Sequence, residues 1–104
     1  MNPVATKQDV FGRIQEHGKK IRALGVEALG LFGSFARGEQ GTESDVDLLV
    51  RFQRNQKSFD NFMALAFLME DLLGRRVELV TPEGLSPYLG PHILAEVQDV
   101  ALGS

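Results

Sequence analysis

The sequence contains no cysteine. That absence excludes a disulfide framework and a zinc–thiolate site, and it fits a reducing compartment. No apolar run approaches the roughly 18 residues that span a bilayer. The N-terminal stretch MNPVATKQDV also lacks the apolar core of a signal peptide. A cytoplasmic location with no membrane contact is the expectation. Excess basic charge is missing as well: the formal net charge is -3 at pH 7, with both signs mixed along the chain. A broad nonspecific nucleic-acid footprint is therefore disfavoured, and no direct nucleic-acid binding is expected.

What remains is the make-up of an ordinary globular chain. Its 104 residues, 43% hydrophobic and 24% charged, predict one domain over residues 1–104 with a real core. Thr6 followed by Asp9 resembles an N-cap with an acidic first turn. Val10, Ile14, His17, Ile21 and Leu24 then recur at a helical period, which predicts a helix over 7–24 ended by Gly25. His17 lies on the apolar stripe and reads as a packed or partly exposed side chain rather than a ligand. EALGLF (27–32) reads as a strand weakened by Gly30, and Ser34 can cap a brief helix through Arg37. DVDLLVRF (45–52) is the clearest strand, with Val46, Leu48, Val50 and Phe52 on one face. Residues 59–73 predict a helix whose apolar face holds Phe59, Phe62, Met63, Ala66, Met69, Leu72 and Leu73. That face reads as core, not as a cofactor box. Gly74 ends this helix, VELVT forms a third strand stopped at Pro82, and residues 92–101 read as a C-terminal helix. Gly103-Ser104 reads as an uninformative tail. The order predicts an α/β (α+β) domain, a small mixed sheet covered by helices.

Chemistry concentrates in GSFARGEQGTESDVDLLV, residues 33–50. Alternate strand residues share a face, so Asp45 and Asp47 should project side by side. Two adjacent carboxylates repel unless they share a proton or hold a cation. Gly33 lets backbone approach an anion closely, and Ser34 adds a hydroxyl donor. Glu78 sits between Val77 and Leu79, where a bare buried carboxylate would cost several kcal/mol. It either joins the two aspartates from a neighbouring strand or is a solvated edge residue paired with Arg75 or Arg76. Three oxygen-ligand acids of this kind suit Mg²⁺.

Gly33-Ser34, ten residues, then Asp45-x-Asp47 is the GS-x10-DxD signature of DNA polymerase β-type nucleotidyltransferases. With GSFARG, SDVDLLV, a helix and VELVT around it, nearly the whole chain resembles the minimal nucleotidyltransferase (MNT) family. The resemblance implies the nucleotidyltransferase fold. It also implies that Gly33 and Ser34 bind the nucleotide triphosphate and that Asp45 and Asp47 bind metal, with Glu78 as third acid and proton acceptor. Arg37 either contacts phosphate or ties the loop to Glu39 or Glu43. Two Mg²⁺ ions about 4 Å apart would clamp the α-phosphate of ATP and the departing pyrophosphate. Because the chain has no room for an acceptor-binding domain, the acceptor is expected on another chain. In this family it is a tyrosine of a HEPN-type ribonuclease toxin, which adenylylation silences, so a hetero-oligomer with that toxin is expected. The alternatives are an antitoxin acting by occlusion, or a subunit modifying a small molecule or RNA end.

Overall fold

Thr6 does cap the first helix: its hydroxyl accepts from the Asp9 N–H at 3.1 Å, and the Asp9 carboxylate accepts from the Thr6 N–H at 3.2 Å. In this computed structural model, which describes residues 2–103, that capping box starts α1 (Lys7–Glu16). The helix expected to run to residue 24 breaks at His17, and a second helix, α2 (Gly18–Ala23), follows. Gly18, the first residue after the break, has no room for a side chain. A Cβ on Gly18 would lie 1.3 Å from the Leu102 carbonyl oxygen, so the C-terminal chain rests directly on this backbone. Val10, Ile14 and Ile21 are all buried, so the apolar stripe runs through the break without registering it. His17 is partly exposed, within the expectation, and its Nδ1–H donates to the Arg13 carbonyl at 2.8 Å.

After Gly25 (φ +85°) the chain enters β1 (Val26–Phe32), α3 (Gly33–Arg37) and β2 (Val46–Phe52). Helix α4 (Phe59–Leu73) has the predicted bounds. Ser58 caps its start and Gly74, at φ +65°, ends it. β3 (Val77–Val80) follows, then a single 3₁₀ turn at Pro82–Gly84, α5 (Gly90–Glu96) and β4 (Gln98–Val100). The four strands form one mixed sheet in the order β3-β2-β1-β4. β1 pairs antiparallel with β2 and β4, while the α4 crossover makes β3 parallel to β2.

Val46, Leu48 and Val50 turn one face of β2 into a core shared with Ile14, Leu65 and Met69. The other face carries Asp47, Leu49 and Arg51, the alternation that the sequence predicts. Three expectations are corrected. The helix expected over 92–101 ends at Glu96, and β4 takes its place because β1 has a free edge on which Gln98–Val100 can complete a ladder. Phe59 is 77% exposed and lies off the core, whereas Leu65 takes a buried position on α4. Gly103 is no idle tail, for its carbonyl accepts from Arg22 Nη1 at 2.8 Å; Ser104 lies outside the described residues. Gly30, which weakens β1 on paper, is required there: Val97 packs onto it so closely that a Cβ would meet Val97 Cγ2 at 2.4 Å. Among the described residues no helix is long and apolar enough to cross a membrane.

Candidate active site

The pairing of β1 with β2 sets Phe32 opposite Asp47, so the glycine turn that follows Phe32 lands beside that aspartate. Gly33 has φ +75°, a region that favours glycine. It also has no room for a side chain, because a Cβ would sit 2.0 Å from Asp47 Oδ2. Backbone and carboxylate interlock. Ser34 does not cap α3 as the sequence predicts: the helix already takes in Gly33, and Phe32 holds the cap position. Ser34 sits half-buried in the first turn, its carbonyl accepting from the Glu39 N–H at 2.9 Å as the loop turns away.

On the other side of β2, the parallel register sets Glu78 opposite Asp47. The two side chains share a face, with the Glu78 carboxyl near enough for a hydrogen bond to Asp47. Glu78 is exposed on the edge strand, so the burial cost that made it conspicuous in the sequence does not arise. Neither Arg75 nor Arg76 pairs with it among the described ion pairs. Asp45 lies one residue before β2, half-buried. Burial, the Glu78 charge and the Asp45 charge together push the Asp47 carboxyl from 3.8 up to about 6, against a smaller opposing pull from Arg37. Among the described residues, no three acid or imidazole side chains close on one point as a finished metal cage. The donor set nonetheless fits a hard divalent cation: the ligands are all carboxylate oxygen, partly open to water, and their mutual repulsion would be relieved by positive charge.

Arg37 sits between two acids. Its Nε donates to Glu39 at 2.6 Å, and its Nη1 donates to both Glu96 carboxylate oxygens at 3.1 and 3.2 Å. The tie from Arg37 to the loop is made through Glu39, and Glu43 takes no part in it. Glu96 Oε1 also accepts from the Gly33 N–H at 2.8 Å. That hydrogen bond, with help from Arg37, holds the Glu96 carboxyl below the ordinary glutamate value. A cleft of about 300 Å³ opens between this turn and α5, lined by Phe32, Gly33, Arg37, His92, Ile93 and Glu96.

Sequence reasoning missed two residues. Glu96 lies 63 positions from Gly33, and nothing local marks it. In the sequence Arg75 reads only as a candidate partner for Glu78. Instead its Nη1 donates to the Gly41, Thr42 and Ser44 carbonyls and its Nε to Val4, with the guanidinium 5.0 Å above the Phe35 ring. It thereby fixes the loop that delivers Asp45.

A glycine turn interlocked with an acidic strand mouth, on a mixed sheet with a crossover helix, defines a nucleotidyltransferase fold. Residues 14–100 match the family model described as a nucleotidyltransferase domain. The chain belongs to that family, in its minimal form, and is a nucleotidyltransferase. It is similar to the protein adenylyltransferase MntA of Thermococcus cleftensis, at 38% identity over 88% of this chain and 93% of that one. It is also 42% identical, over 85% of this chain and 91% of the relative, to a Methanocaldococcus jannaschii protein provisionally named protein adenylyltransferase MJ1379. A solved structure provisionally identified as a minimal nucleotidyltransferase superimposes with TM-score 0.79 at 31% identity, covering 93% of this chain and 98% of that one. A toxin–antitoxin complex solved with AMP-PNP shares the fold at TM-score 0.63 and 24% identity, over 84% of this chain and 73% of that one.

Proposed function

We propose that this protein is a Mg²⁺-dependent protein adenylyltransferase that silences a HEPN-type ribonuclease toxin by moving AMP from ATP onto a tyrosine of it. The observation that carries this reading is the interlock of Gly33 with Asp47, flanked by Glu78, which sets an anion-approaching backbone beside an acidic pair. The names of the relatives support the protein acceptor, and the toxin–antitoxin complexes of like fold support the partner.

In the balanced reaction, the tyrosine Oη bonds to the α-phosphorus of ATP, the bond from that phosphorus to the bridging oxygen breaks, and pyrophosphate leaves. Asp45, Asp47 and Glu78 would hold Mg²⁺, which when bound neutralises phosphate charge and polarises the α-phosphate. Gly33 N–H, Ser34 and Arg37 orient the triphosphate. Glu78, open to solvent at the sheet edge, receives the phenolic proton as the hydroxyl attacks. The remainder of the rate comes from alignment of the two substrates.

Incubation with the HEPN-family protein encoded beside it, ATP and Mg²⁺ should add the mass of one or more AMP units to that partner, located by tandem mass spectrometry to tyrosine. An unmodified partner, together with full toxin rescue by the Asp45→Ala/Asp47→Ala double variant, would sink the reading in favour of simple occlusion.

A further inference from the structure

The Gly33 N–H and the Arg37 guanidinium, the two donors best placed to hold phosphate, are both occupied by one carboxylate. Glu96 meets them in the pattern an anionic ligand would use. One oxygen accepts from backbone N–H at 2.8 Å, and both face the same Arg37 nitrogen at 3.1 and 3.2 Å. A carboxylate and a nucleotide phosphate cannot share these donors, since each needs the same N–H and two anions in contact repel.

The element that brings Glu96 there is thinly anchored. Helix α5 has seven residues, no side-chain N-cap and only Gly90 buried, while Leu89 and Leu94 are 63% and 51% exposed. Its firm attachment is Val97, seated on the Gly30 backbone just after the helix ends. Glu96 can therefore swing away about a fixed Val97 with little core disruption. The cleft of about 300 Å³ beside it already lies between α5 and the turn.

We infer that Glu96 is a built-in stand-in for nucleotide phosphate: it occupies the Gly33–Arg37 seat in the free protein and must withdraw when a nucleotide enters. This rests on the reading of Gly33 and Arg37 as the phosphate seat. The seat stays ordered while empty of nucleotide, and the apparent affinity is lowered by the fraction of molecules in which Glu96 occupies it. Glu96 acts on nucleotide entry and takes no part in the transfer itself.

The test is calorimetric titration of AMP-PNP with Mg²⁺ into the wild type and Glu96→Gln, with adenosine as the phosphate-free control. Glu96→Gln should bind AMP-PNP on the order of fivefold more tightly or better, with adenosine unaffected. An equal or weaker AMP-PNP affinity in the folded variant overturns the inference, as does an equal gain for adenosine. If neither protein binds AMP-PNP, the nucleotide-transfer reading itself fails. Should Glu96→Gln not fold, the wild type decides by carboxyl ¹³C NMR: at saturating AMP-PNP the Glu96 resonance should move toward that of a free glutamate. A resonance that stays in place overturns the inference.

Discussion

At Asp47 three effects act together: burial, then the Glu78 charge, then the Asp45 charge all disfavour ionisation, and the pKa rises from 3.8 to about 6. The folded value exceeds the unfolded one, so the native state holds its proton longer than the unfolded chain does. The resulting cost is absent below pH 3.8, grows between there and about 6, and is complete above. Asp47→Asn removes the charge with little change of shape. At about pH 7.5 in chelator, this variant should be more stable than the wild type by about 1 kcal/mol, allowing for the half-exposure of the group. The advantage should vanish at about pH 4, and Mg²⁺ should stabilise the wild type alone. Thermal melts across pH, with and without Mg²⁺, measure all three. A variant less stable than the wild type at neutral pH would refute the electrostatic account.

Among the elements, the segment between α3 and β2 depends most on a distant residue. It has no helix or strand of its own between Gly38 and Asp45, and Arg75 supplies three hydrogen bonds to its carbonyls. Arg75→Ala should cost about 2 kcal/mol by chemical denaturation and reduce AMP transfer more than it reduces stability, because the freed loop no longer sets Asp45. Arg75→Lys, which keeps the charge but loses the fork, should fall between. None of this was legible in the sequence, where Arg75 is simply a basic residue after a helix. Local signals told most where punctuation was strong: Gly74 gives the end of α4, and Thr6 with Asp9 gives the start of α1. The Gly-Ser turn and the Asp-x-Asp spacing likewise carried the site, since both are written in consecutive residues. What escaped depends on contacts between remote segments: the seat of Leu102 on the Gly18 backbone, the β4 ladder on β1, and the reach of Glu96 to Gly33.

At the scale of the molecule, one sheet and one contiguous apolar cluster are contained within a radius of gyration of 12.8 Å, close to the value of about 13 Å usual for a domain of 100 residues. Unfolding is therefore expected as a single cooperative transition. Calorimetric and van't Hoff enthalpies should agree, and a clear excess of the former would split the chain into separate units. The close fit of Gly33 against Asp47 bears on ancestry as well as on chemistry. A side chain at position 33 overlaps the acid at 47, so position 33 cannot drift while Asp47 is kept, whereas position 47 is free to shrink first. Descendants released from selection for transfer should lose Asp47 first and only then admit a larger residue at 33. In the laboratory the same order predicts that Gly33→Ala is milder in an Asp47→Gly background than in the wild type. Equal penalties in the two backgrounds would show that the positions evolve independently.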